Sequence, residues 1–203
     1  MESVQAPHRR RRRGLLALLM AGTALLSVVG AASSLALFTS TATADSNFTT
    51  GTIVLGVSPT TVFNATAMMP GDSAPTGTPG QPVTVSNTGT AQLRYAITGI
   101  ATNAPLASVL VITIKQPDGN AGTSCTLFNG TTLNTVTTVG VSTTNLVGDP
   151  TAGAQAGDRT LNAGSSETLC FKATLPAGTG NAYQGVTTSI TFSFIGEQTA
   201  NNP

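Results

Sequence analysis

The residues able to do chemistry in this chain are few, and their spacing excludes more than it suggests. The sequence of 203 residues contains one histidine, His8, inside a basic N-terminal run. Ser-His-Asp and Cys-His catalysis and H-E-x-x-H zinc binding all need an imidazole in the folded body, so each is excluded once that run is removed. After residue 36 the acids are Asp45, Asp72, Asp118, Asp149, Asp158, Glu167 and Glu197, with no adjacent pair and no D-x-D-x-D calcium loop. Asp118-Gly119-Asn120 reads as a turn rather than a ligand set. Asn47-Phe48-Thr49, Asn64-Ala65-Thr66 and Asn129-Gly130-Thr131 match the glycosylation triplet by chance in a chain rich in Asn and Thr, and carry no function. No catalytic residue, metal or cofactor is implied.

The remaining chemistry is sulfur. Cys125 and Cys170 are the two cysteines. An even pair in an exported chain is most simply a disulfide, closing a loop of about 45 residues worth at most about 4 kcal/mol. Two free thiols or a redox pair is the alternative, without C-x-x-C spacing to favour it. Alternation puts Cys170 on the polar face of its strand, so the bridge is expected at the periphery of the core.

Charge points the same way. Of nine cationic side chains, five are Arg9 to Arg13. His8 and these arginines followed by the apolar stretch Leu15 to Ala36 have the form of an export signal, the positive end staying in the cytoplasm. Ser34-Leu35-Ala36 gives cleavage between Ala36 and Leu37; Ala42-Thr43-Ala44 competes as a later site, and an uncleaved anchor is the other reading, since Leu15 to Leu37 is long enough to span a bilayer. Without residues 1–36 the chain carries Arg94, Lys115, Arg159 and Lys172 against seven carboxylates, a balance of −3. That excludes a basic nucleic-acid-binding surface, and contact with membrane is expected through the leader alone.

The elements that must position the cysteines are strands. From Asn47 onward short β-branched runs alternate with Gly, Pro, Asn and Asp, and no ten-residue window has helical periodicity. Strands are expected at Phe48 to Val57, Val83 to Ser86, Leu93 to Ile100, Val109 to Lys115, Cys125 to Phe128, Thr135 to Val141, Thr168 to Leu175 and Val186 to Ile195. Val186, Ile190, Phe192 and Phe194 fall on one face of the last strand. Val109 to Ile112 runs without alternation, as in a strand covered on both faces or one that meets a partner. Pro70-Gly71 predicts a type II turn and Asn87-Thr88-Gly89 a reversal. Gly140 to Ser166, too long and glycine-rich for an ordinary hairpin loop, is expected to be a surface excursion or a poorly ordered insertion. The fold class is all-β: a jelly-roll or Ig-like sandwich of two antiparallel sheets over 51–198, preceded by a helical signal segment (1–36) and an extension (37–50), with a tail at 199–203.

Several segments carry a family resemblance. Ala36-Leu37-Phe38-Thr39, Asn47 to Leu55, Met69-Pro70-Gly71-Asp72-Ser73 and Val83 to Gly89 resemble the TasA/camelysin family of exported bacterial proteins. Asn181-Ala182-Tyr183-Gln184-Gly185, followed by Phe192-Ser193-Phe194 and Gln198, is similar to that family's closing strand. Pro105 to Ser166, with Cys125, does not align to it. The resemblance implies a jelly-roll-like sandwich, removal of the leader after Ala36 by a SipW-type signal peptidase, and assembly into extracellular fibres of a biofilm matrix. Some relatives are labelled camelysin metalloendopeptidases, but no zinc-ligand motif is present to carry that label.

A physical reason supports assembly. Residues 37–50 are rich in threonine, poor in charge and free of proline, suited to add as a strand to an exposed sheet edge of a second copy. Such head-to-tail addition gives filaments rather than rings. The sequence therefore reads as a secreted, self-associating structural protein of the cell surface or matrix. A camelysin-like protease and a monomeric adhesion module are the rival readings, and a linker that merely spaces the domain from the membrane is the plainer account of 37–50.

Overall fold

Runs such as Gln81–Asn87 and Ser166–Thr174 alternate apolar and polar side chains, which buries one face of a strand but no single stripe of a helix. The computed structural model describes residues 50–117, 124–134, 137–200 and 202. In it these runs become β1 (Leu55–Ser58), β2 (Ser73–Ala74), β3 (Gln81–Asn87), β4 (Leu93–Ala101), β5 (Val111–Gln116), β6 (Thr131–Thr132), β7 (Thr144–Val147), β8 (Arg159–Leu161), β9 (Ser166–Thr174) and β10 (Ile190–Gln198). The helical content among the described residues is one four-residue helix, α1 (Ala104–Ala107), and a 3-10 turn at Asn181–Tyr183.

The strands form two antiparallel sheets. One runs β1-β3-β9-β5-β6, with β2 also on β9; the other runs β10-β4-β7, with β8 also on β4. The chain changes sheet between β3 and β4, β4 and β5, β6 and β7, β8 and β9, and β9 and β10, as jelly-roll and other Greek-key sandwiches do. Val83, Val85, Ile112, Ile114, Leu169 and Phe171 from the first sheet meet Leu93, Tyr95, Ile97, Leu146, Val147 and Leu161 from the second in one apolar core. Each fully buried side chain of this size is worth about 1.5–3 kcal/mol in removal from water. The two-sheet antiparallel sandwich expected from the sequence is the fold found.

Several local expectations are corrected. Gly140 to Ser166 is neither an excursion nor irregular: it supplies β7 and β8, and it buries Leu146, Val147 and Leu161. Its connecting loop is stapled by its own carboxylates. Asp158 Oδ1 accepts the Asp149 N–H at 3.0 Å and its Oδ2 the Gln155 N–H at 2.9 Å. Gly148 has φ +65°, and a Cβ there would lie 2.5 Å from Asp158 Oδ1. Cys125 to Phe128 is a turn rather than a strand, with Phe128 in the left-handed region (φ 48°). Within Thr135 to Val141, Thr135 and Val136 lie outside the described residues, and 137–141 forms no strand; it crosses between sheets with Val139 fully buried. Val109 and Leu110 belong to the exit of α1, their N–H groups donating to the Leu106 carbonyl, so the apolar run there joins a helix end to an alternating strand. The first strand begins only at Leu55, and the last runs Ile190–Gln198 instead of from Val186.

Candidate functional site

Backbone groups that a sheet leaves unpaired are the chemistry this body offers most, so its edges are compared strand by strand. In an antiparallel ladder, residues alternate between bonding one neighbour and turning N–H and C=O to the other side. The Thr102 N–H donates to the Ser189 carbonyl at 2.9 Å and the Thr199 N–H to the Gln92 carbonyl at 3.2 Å. With the register Ile190↔Ala101 through Gln198↔Leu93, these bonds assign Thr191, Ser193, Ile195 and Glu197 to β4. Ile190, Phe192, Phe194, Gly196 and Gln198 then turn their backbone groups away from β4, and no partner for them exists among the described residues. β1 is the edge of the other sheet. The Thr88 N–H donates to the Val54 carbonyl, which leaves only Leu55 and Val57 facing outward over its four residues.

Between these edges the described residues cover the core incompletely. Leu55, Val57, Val62, Phe63, Ile190, Phe192 and Phe194 pack against it while staying half-buried. Phe192 meets Phe171 edge-on at 5.3 Å and Phe63 at 6.0 Å; Phe194 lies 6.3 Å from Tyr95. At one end the seam narrows, since a Cβ on Gly196 would come within 3.2 Å of Leu55 Cδ2. The result is an apolar cleft flanked by a nine-residue open strand, the geometry that a further strand completes.

The sequence-predicted turn residues position this seam. Gly71 has φ +100° and the Asp72 N–H donates to the Met69 carbonyl at 2.9 Å, a type II turn pinned to the end of β9 through Leu175. Asn87 is fully buried; its Nδ2 donates to the carbonyls of Ala91, Leu161 and Asn162, and its Oδ1 accepts the Gly89 N–H. A Cβ on Gly89 would stand 2.2 Å from the Thr52 carbonyl oxygen, so only glycine lets this turn hold residues 52–54. Thr90 and Ala91 donate to that same carbonyl. Tyr183, Gln184 and Gly185 form a turn ahead of β10, Gly185 at φ +70°. Ala36 and Leu37 lie outside the described residues.

Cys125 and Cys170 are bonded. Cys170 is fully buried yet outside the core cluster, so the bridge is peripheral to the core, as alternation predicts. It is covered by the turn that carries Cys125: Phe128 lies over Gly80, and Lys115 Nζ and Lys172 Nζ sit 4.9 and 5.1 Å from its ring centre. Burial, then repulsion from Lys115, lowers the Lys172 pKa.

Most ionisable groups among the described residues are tied up structurally. Tyr95 donates to Glu167 Oε1 at 2.7 Å and Arg159 meets Glu167 Oε2 at 2.5 Å, a polar strut between the sheets. Burial, reinforced by the Glu167 charge, holds the Tyr95 phenol protonated far above its usual pKa. Arg94, Asp149, Asp158 and Glu197 line a pocket of about 30 Å³. Glu197 accepts from Arg94 at 2.5 Å, from the Gly153 N–H at 3.0 Å and from Asn202 at 2.7 Å. Asp149 accepts from Thr151 and Asn145.

Residues 13–103 match the family model described as camelysin metallo-endopeptidase. The matched stretch takes in most of the leader, the extension and β1 to β4, and stops before α1. The likeness to the TasA/camelysin family read from Asn47 to Leu55, Pro70-Gly71-Asp72 and Asn87-Thr88-Gly89 holds over those residues. No curated protein matches the chain. The metal that the family description implies does not fit the described side chains: the clustered carboxylates spend their oxygens on internal donors, no imidazole accompanies them, and no three acids or cysteines converge among the described residues.

Proposed function

We propose, from the premise that residues 13–103 are those of a TasA/camelysin-family chain, that this protein is an exported structural subunit of the cell surface or biofilm matrix. Its fibres form when residues 37–50 of one copy pair with β10 of the next. The observation that carries this reading is the run of five outward-facing β10 residues, unpartnered among the described residues, beside an apolar seam that those residues half cover. Burying that seam supplies the driving force and the ladder supplies direction.

The extension suits the seam. Phe38, Ser40, Ala42, Ala44 and Phe48 share one face of an extended strand, and Thr39, Thr41, Thr43, Asp45 and Asn47 share the other. Fourteen extended residues reach about 45 Å, against about 30 Å for the nine of β10. Polarity agrees as well. The turn at 88–92 joins the end of β3 to the start of β4, so Leu55, where the chain enters its sheet, lies at the end of the sandwich where β10 finishes. In copies stacked in one orientation an incoming extension therefore runs antiparallel to β10. Export with leader removal after Ala36 by a signal peptidase would free it.

Electron microscopy of protein recovered from culture, at neutral and mildly acidic pH, tests this. Filaments lost on Thr41→Pro, which removes a backbone N–H from the middle of the extension and restricts the residue before it, are the expected result; a wild-type chain that stays monomeric defeats the reading. A chelator-sensitive casein-cleaving activity with bound zinc would favour the peptidase instead, and N-terminal sequencing beginning at Leu37 is expected.

A further inference from the structure

The second long edge of the sandwich, β5, is closed, and the manner of its closure has consequences of its own. β5 pairs with β9 through Val111, Thr113 and Lys115, leaving Ile112, Ile114 and Gln116 to face outward. Each is capped by the segment that follows Cys125. The Ile112 N–H donates to the Thr137 carbonyl at 2.5 Å, and the Ile112 carbonyl accepts Asn134 Nδ2 at 2.7 Å. The Ile114 N–H donates to Asn134 Oδ1 at 2.9 Å, and its carbonyl accepts the Leu133 N–H at 2.8 Å. Gln116 is paired with Thr131 in β6. Of the capping segment only Thr131 and Thr132 are in a strand, so the seal has little cooperative sheet structure of its own.

The seal is instead fastened from the sheet's outer face. The Cys125–Cys170 bond ties the capping segment to β9, the Gly80 N–H donates to the Cys125 carbonyl at 2.7 Å, and Lys115 Nζ donates to the Phe128 carbonyl at 3.1 Å. Gly130 (φ +102°), whose Cβ would fall 2.2 Å from the Gln116 carbonyl oxygen, completes the turn back to the edge.

We infer that the Cys125–Cys170 bridge is an edge guard: while intact it holds residues 124–134 over β5, and when reduced it opens β5 as a second pairing edge for another copy of this chain. The strand so exposed carries Ile112 and Ile114, both fully buried in the closed form, a combination that pairs readily with a like strand. The chemical step is thiol–disulfide exchange with a dithiol. One reductant thiolate attacks a bridge sulfur to give a mixed disulfide, its second thiol displaces the protein, and two electrons and two protons end on Cys125 and Cys170 as the reductant becomes a disulfide. This inference does not depend on the extension.

The test uses the full chain carrying Thr41→Pro, so that pairing through residues 37–50 is disabled, with and without dithiothreitol. Amide hydrogen exchange and sedimentation are measured on both. On reduction, exchange at Ile112 and Ile114 should accelerate roughly tenfold or more while Val83, Ile97 and Leu169 stay protected, and the chain should pass from monomer to dimer or larger. The Cys125→Ala/Cys170→Ala variant should behave in this way without reductant. Unchanged exchange at β5, loss of protection throughout the sandwich, or a reduced chain that stays monomeric would each overturn the guard. Filament loss in oxidised Thr41→Pro reports on the extension alone, so the two readings fail separately.

Discussion

β5 and β10 both have an apolar face on the same core, yet among the described residues the outward side of one is sealed and that of the other is unpaired. Ile112 and Ile114 in β5 are fully buried; Phe192 and Phe194 in β10, larger and more apolar in surface, remain half-buried. The difference does not lie in the strands. After β5 the chain returns through Cys125, β6 and Asn134 to satisfy the outward backbone groups, whereas no described residue returns to those of β10. An edge is thus open or closed according to what the rest of the chain brings back to it.

Removing the clasp should be the largest single perturbation of this contrast. Cys125→Ala/Cys170→Ala is expected to cost about 2–4 kcal/mol in a denaturant titration, with β5 losing its distinction from β10. Next come paired truncations. Ile114→Ala should cost about 2–4 kcal/mol, as for a fully enclosed site, and Phe192→Ala clearly less than the 3–5 kcal/mol of an enclosed phenylalanine, because the seam already admits solvent. Equal losses at the two positions would mean that β10 is closed in solution.

A smaller effect is expected from pH. The hydrogen bond from Arg94 in particular, with those from Asn202 and the Gly153 N–H, holds the Glu197 carboxyl below its usual pKa of 4.5. Stability from a carboxylate lowered in this way is present above the unfolded value and disappears as pH falls through the folded one. The Gln198 end of β10 should therefore be indifferent to pH between 7 and about 5 and fray only below about 4.5; Glu197→Gln should remove that dependence in hydrogen exchange. Least of all in stability terms is Thr41→Pro, expected to leave the melting transition within about 0.5 kcal/mol of wild type while abolishing filaments.

Much of the fold was legible. The alternation of Leu169, Phe171 and Ala173, and of Ile190, Phe192 and Phe194, gives the inward faces correctly because period two is local. The turns at Gly71 and Gly89 were legible for the same reason. β7 and β8 were not, since Thr144–Val147 and Arg159–Leu161 are too short to show a period, and glycines at 148, 153 and 157 resemble a loop without order. The clue available was Asp149 and Asp158 beside Gly148 and Gly157, side chains that close such loops by accepting nearby N–H groups. Cys125 to Phe128 misread as a strand because its residues suit one, while the bridge and the packing of Phe128 on Gly80 bend it into a turn.

The sequence alone determined the class of this protein: short alternating runs can bury themselves only as sheets, and two cysteines in such a body can join. Tertiary structure decided which edges stay unpaired. That property depends on which distant segment returns to lie beside a strand, as Asn134 does for Ile112 and Ile114 and nothing among the described residues does for Phe192 and Phe194. Backbone groups are the same in every residue, so no side-chain pattern along one strand can record whether they have found partners.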